Sequence, residues 1–273
     1  MSFYKSREEN RMRLHSIKAI LLQELFVTYG AIEVIMDIIF FPIMSIVVFG
    51  FLSTYLSKTS GPAIGQSVLL GMLLWQVIFI IQYSVSVGSL WNIWSRNLSN
   101  LFIAPLRARE YILAQTLSGV IKALIILVLS SFISIFLFHY NLFSLGFIPL
   151  MLFIINLGLF AFSMGLIILG LIFRFGTRIQ AFAWGILPMF QPLTAAFYPV
   201  RILPQPIQYI AYTLSPTYVF EAARQFLATH TLNFQLLSIA FAENLVYIVL
   251  AVWIFEYMFR KSKDTGQFAR NES

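Results

Sequence analysis

The chain has 273 residues, 59% of them hydrophobic and only 11% charged, with a formal net charge of +7 and no cysteine. A soluble domain carries roughly 25% charged residues, so the composition excludes an ordinary water-soluble fold. The missing cysteine excludes disulfides, thiolate metal sites and cysteine nucleophiles.

No Asp, Glu, Lys or Arg occurs from Thr59 to Ser95 or from Ala123 to Phe173. A transmembrane helix needs about 20 apolar residues, so each run has room for one or two crossings. The reading is an all-α integral membrane protein, one transmembrane domain over residues 1–273. Residues 1–30 form an interfacial helix, 32–259 a six-helix bundle and 260–273 a cytoplasmic tail. The basic residues flank the apolar runs, where they act as topology signals rather than as a nucleic-acid surface.

In chain order, Leu14, Ile17, Leu21 and Leu25 recur at helical spacing, with Arg11, Lys18 and Gln23 mainly on the other face. Such a helix lies flat in the cytoplasmic interface, as a generic anchor or as a coupling element. Six spans follow: Ile32–Leu56, Gln66–Leu90, Ile112–Phe138, Phe147–Phe173, Ile179–Phe197 and Leu236–Phe259. One side collects fourteen Lys and Arg residues, among them Lys5, Arg7, Arg96, Arg107, Arg109, Arg174, Arg178, Arg260 and Lys261. The other holds only Lys58, Arg201 and Arg224. This asymmetry places both termini in the cytoplasm.

The segment 91–111 follows the second span on the cytoplasmic side. Trp91, Trp94, Leu98, Leu101 and Phe102 fall on one helical side, Arg96, Asn97, Ser99 and Asn100 alternate with them, and Pro105 ends the helix. Two readings stand. The helix docks into a groove on a soluble partner, or it is an interfacial helix held by its two tryptophans.

Six of the ten prolines lie between Ile186 and Arg224: Pro188, Pro192, Pro199, Pro204, Pro206 and Pro216. Pro188 and Pro192 predict a kinked or broken fifth span. Beyond Phe197 the chain stays moderately apolar but too proline-rich for another crossing. It reads as a re-entrant helical hairpin on the outer side, between helices five and six. Glu221 and Arg224, three apart, are placed to pair.

Few ionisable residues lie at membrane depth. Glu33, Asp37 and Glu256 sit near cytoplasmic ends, Lys122 is placed to snorkel to the cytoplasmic face, and Glu243 faces the pathway or pairs with Arg224. The three histidines, His15, His139 and His230, are far apart, and no metal or catalytic spacing emerges. An ion-coupled secondary transporter is the alternative reading, although neither inverted repeats nor a midplane charge network is evident.

Two segments resemble a known family. Ile103-Ala104-Pro105-Leu106-Arg107, followed by the helix from Tyr111, resembles the loop after the second helix of type-2 ABC transporter permeases. The run Ala196-Phe197-Tyr198-Pro199-Val200, with Leu203-Pro204, Ser215-Pro216-Thr217-Tyr218 and Glu221-Ala222-Ala223-Arg224, is similar to that family's outer hairpin. The resemblance implies a permease subunit of an ATP-driven exporter in the plasma membrane (a bacterial inner membrane), acting on a drug-like, lipidic, glycolipid or polysaccharide cargo. It implies a second copy of the permease and two separate ATPase subunits that bind ATP and Mg, with no cofactor in this chain. No lysine follows a glycine anywhere, so a phosphate-binding loop of the Gly-x-x-x-x-Gly-Lys kind is missing. The coupling helix would comprise Trp94, Arg96, Leu98, Leu101, Phe102, Ala104, Pro105 and Arg107. The outer gate would comprise Phe197, Tyr198, Pro199, Pro204, Pro216, Glu221 and Arg224.

Overall fold

The computed structural model describes residues 2–94 and 108–265, with side chains from His15 onward. The described residues are 91% helical and hold no strand. They form α1 (Ser2–Gly30), α2 (Ile32–Ser60), α3 (Pro62–Trp94), α4 (Ala108–Phe138), α5 (Phe147–Phe175), α6 (Gln180–Leu193), α7 (Gln205–Ala211), α8 (Ser215–Thr229) and α9 (Phe234–Asp264). Five of these, α2, α3, α4, α5 and α9, are long and apolar enough to cross a bilayer.

The turns between them follow from local chemistry. Gly61, at φ +104°, reverses the chain between α2 and α3 in a conformation that L side chains rarely adopt. Pro62 then starts α3, where its missing N–H costs nothing. Asn141 accepts a hydrogen bond from the Phe143 N–H at 3.0 Å and starts the short 3₁₀ turn Leu142–Leu145 before α5. Within α2, Met36–Phe40 form a wide π turn immediately before Pro42. The placement fits a proline that cannot donate to the preceding turn.

The core is built around α3, which packs against α2, α4 and α5 along its length and also meets α6 and α8. Tyr83, Leu73, Leu74 and Ile78 on α3 are fully buried. α5 completes the centre by packing on α3 and α9. Its Phe153, Phe160 and Phe173 are buried, and Phe173 lies 6.0 Å from Phe255 of α9. The peripheral helices instead turn large apolar side chains outward, including Phe51 on α2, Phe132 and Phe136 on α4, and Val249 on α9. Outward apolar faces of this kind suit lipid and would be a solubility defect in water.

Two expectations change. The fifth apolar run does not carry a helix to Phe197. α6 has 14 residues, ends at Leu193 and keeps Pro188 and Pro192 inside it. At 1.5 Å per residue it is about 21 Å long, short of a core about 30 Å thick. The backbone turns away at Ala195, whose φ of +52° no helix accommodates.

The N-terminal helix also presents a different face. Ile20 and Glu24 of α1 are buried and Ile17 packs against the core, while Leu22, Leu25, Phe26 and Tyr29 are exposed. Glu24 turns inward together with Ile20 while Lys18 stays exposed, and an apolar stripe turns outward.

Candidate functional site

Two constellations stand out, one at each end of the bundle. At the end where α3 finishes and α4 starts, α1, α3 and α4 are joined by a buried polar cluster. Glu24 of α1 accepts a hydrogen bond from Gln115 Nε2 at 2.8 Å and pairs with Lys122 Nζ at 3.2 Å, both on α4. Gln23 donates to Asn92 Oδ1 on α3 at 2.8 Å. Asn92 and Gln115 each donate to the hydroxyl of Tyr111, at 3.0 and 3.2 Å, and Ser89 lies 2.9 Å from the same oxygen.

The local sequence explains the arrangement. Tyr111, Gln115 and Lys122 recur at four and seven residues, which stacks them on one face of α4. Ser89 and Asn92 do the same on α3. The cluster lies where α3 ends at Trp94 and α4 begins at Ala108, so it brackets the segment 95–107. Lys122 therefore does not reach outward past the bundle surface. A largely buried ammonium is held by a carboxylate from α1, which the sequence reading did not single out.

At the opposite end, the chain after α6 folds back over α2 and α3. Arg224 of α8 donates through Nη1 to the carbonyls of Ala195 and Ala196, at 2.8 and 3.4 Å, and through Nη2 to Glu221 at 3.0 Å. Glu221 also accepts from the Val200 N–H at 2.8 Å. Burial pulls the Arg224 guanidinium below its ordinary value, and the Glu221 carboxylate opposes that shift. Arg224 and Glu221 thus staple α8 to the irregular segment 195–200. They pair with each other, and Glu243 is not the partner of Arg224.

The remaining outer residues reinforce this cap. Tyr198 donates to the Pro192 carbonyl at 2.7 Å, the Phe197 ring lies 4.5 Å from Phe49 of α2, and Trp75 of α3 stacks on Phe220 of α8 at 6.3 Å. Pro199 precedes the 3₁₀ turn Val200–Ile202. Pro204 accepts from the N–H groups of Ile207 and Gln208 at the start of α7. Pro216 is buried in the first turn of α8. At the base of α8, Ser215 donates to Asn244 Oδ1 at 2.6 Å, and Asn244 donates to the Asn156 carbonyl at 2.9 Å, tying α8 to α9 and α5. α7 and α8 follow one another through Tyr212–Leu214, between α6 and α9.

Gly71 shows how close the cap sits. A Cβ there would lie 2.0 Å from the Ala196 carbonyl oxygen, so α3 admits the segment only through a glycine.

Of the expected coupling residues, Trp94 ends α3, half exposed, with its ring 4.9 Å from that of Trp91. Arg96, Leu98, Leu101, Phe102, Ala104, Pro105 and Arg107 lie outside the described residues. Among the described residues, no group of three or more His, Asp or Glu could hold a metal ion.

Bundle, inner cluster and outer cap coincide with a family match. A profile described as ABC-2 type transporter matches residues 15–228, most of the chain. The chain belongs to the ABC-2 type transporter family. A search of curated proteins returns no match. As an ABC-2 member it is a multi-pass membrane protein and a permease subunit of an ABC transporter, and the partner kind typical of the family is an ATPase subunit. The ABC-2 match begins at His15, within α1, and ends at Leu227 plus one residue, within α8, so it takes in both constellations.

Proposed function

We propose that the chain is the pathway-forming subunit of an ATP-driven exporter, working with a second copy of itself and two ATPase subunits that bind ATP and Mg. Both termini face the cytoplasm, α6 serves as a fifth, shortened crossing, and the α7–α8 hairpin dips into the outer leaflet. Residues 1–273 act as a single transmembrane domain in the plasma membrane, with α1 in its cytoplasmic interface.

The observation that carries this reading is the buried cluster of Glu24, Lys122, Gln115, Tyr111 and Asn92. It locks α1 to the two helices that flank residues 95–107, so a push on that segment is passed to α1, α3 and α4 together rather than absorbed by one of them. At the far end, the stapled cap over α2 and α3 is placed to act as an outer gate. Cargo enters from the cytoplasmic side or the inner leaflet and is drug-like, lipidic or a glycolipid or polysaccharide. The aromatic faces in the bundle suit any of these.

Changing both Leu101 and Phe102 to Asp tests the coupling role. Charge at these two apolar positions is expected to abolish co-purification of the ATPase subunit while the permease level in the membrane is unchanged. Undiminished co-purification would contradict the assignment.

A further inference from the structure

At the inner end of the bundle, α4 packs on α3 and α9 packs on α5, so the ends of α4 and α9 flank a groove floored by α5. The groove encloses about 520 Å³. Its walls are apolar, formed chiefly by Ile112 of α4, Leu166 of α5, and Val252 and Phe255 of α9. Its mouth is charged: Arg109, Arg260 and Lys263 converge there with a single carboxylate, Glu256. Glu256 is shared between Arg260 at 3.2 Å and Arg109 at 3.7 Å, and Lys263 Nζ lies 4.6 Å over the Phe259 ring. Three cations therefore face one anion, leaving positive charge at the mouth.

We infer that this groove is a binding site for one anionic phospholipid, with its phosphate at Arg109, Arg260 and Lys263 and an acyl chain along the apolar wall. Two further observations fix the occupant's class. On α9 the apolar lining, Val252, Phe255 and Phe259, spans about 10 Å at helical rise, room for part of an acyl chain, and gives way to Arg260 and Lys263 toward the helix end. Tyr257, exposed and within a turn of Arg260, lies near the headgroup level, where amphipathic rings settle. A basic mouth above an apolar slot between spans is the arrangement that anionic headgroups select. The site is separate from the outer cap and from the Glu24 cluster, and it stands whichever cargo the permease carries.

The test is retention of lipid by the purified full-length permease, counted by native mass spectrometry after exchange into micelles containing phosphatidylglycerol or phosphatidylcholine with the same acyl chains. The expected result is preferential retention of one phosphatidylglycerol. Arg260→Gln with Lys263→Gln removes two exposed charges without touching the core. It is expected to weaken that retention roughly thirtyfold, at about 1 kcal/mol per cation near the headgroup. Val252→Trp fills the slot and is expected to reduce retention of both lipids. Equal retention of the two lipids, or charge variants that retain phosphatidylglycerol as the parent does, would overturn the proposal. So would a Val252→Trp variant that loses self-association while keeping its lipid, since the groove would then belong to a second copy of the chain.

Discussion

Replacing Glu24 with alanine is expected to destabilise the folded permease by about 3–5 kcal/mol, the cost of leaving one partner of a buried ion pair uncompensated. The Glu24 and Lys122 side chains are only 6% and 14% exposed. Removing the carboxylate leaves the Lys122 ammonium without its acceptor and takes one of two acceptors from the Gln115 amide, in a position that water reaches poorly. Lys122→Ala is expected to produce a loss of similar size. The paired change Glu24→Leu with Lys122→Met, which removes both charges and keeps the volume, is expected to recover most of it. Thermal unfolding in detergent of the parent, Glu24→Leu, Lys122→Met and the paired variant forms a double-mutant cycle. A strong positive coupling supports the pair, and additive losses would contradict it.

Replacing Arg224 with alanine is expected to release the outer cap without unfolding the bundle. Its guanidinium joins the carbonyls of Ala195 and Ala196 to Glu221, and Glu221 in turn holds the Val200 N–H. With the fork removed, two backbone carbonyls and a half-buried carboxylate lose their donors together, which costs several kcal/mol locally, on the order of 1–3 per orphaned group. Amide hydrogen exchange is expected to accelerate at residues 195–203 by a hundredfold or more while α3 and α5 stay protected. Arg224→Lys keeps the charge but lacks the planar fork, so it is expected to give partial protection. Gly71→Leu is expected to mimic the alanine variant from the opposite side, because its side chain collides with the Ala196 carbonyl. Unchanged exchange at 195–203 in all three would contradict the staple.

The spans were legible because lipid imposes a blunt requirement: long uncharged apolar runs whose backbone hydrogen bonds close within the helix. That requirement located α2, α3, α4, α5 and α9 to within a few residues. It failed at α6, where apolar character continues to Phe197 but the helix stops at Leu193. The signal for that end is not local. It lies in Arg224, about thirty residues further on, which holds the carbonyls freed where the backbone turns.

The N-terminal helix was legible in part. Of Leu14, Ile17, Leu21 and Leu25, the stripe expected to lie in the interface, Ile17 packs on the core and Leu25 is exposed, and the bundle also takes Ile20 and Glu24. At a lipid boundary the polar face is the one that needs protein. The Glu221–Arg224 pair was readable from its spacing of three. The Glu24–Lys122 pair, separated by 98 residues, was not. Half of it was in view, since Tyr111, Gln115 and Lys122 make a polar stripe through an otherwise apolar span, and such a stripe asks for a partner.

The central claim is that residues 95–107 face the cytoplasm and meet a separate ATPase subunit. The chain contains no cysteine, so Leu101→Cys carries a single thiol and can be followed without removing others. A membrane-impermeant maleimide is expected to label it in inside-out vesicles and not in right-side-out ones, and bound ATPase subunit is expected to protect it. Labelling from the outer side, or equal labelling with and without the ATPase subunit, would contradict the account.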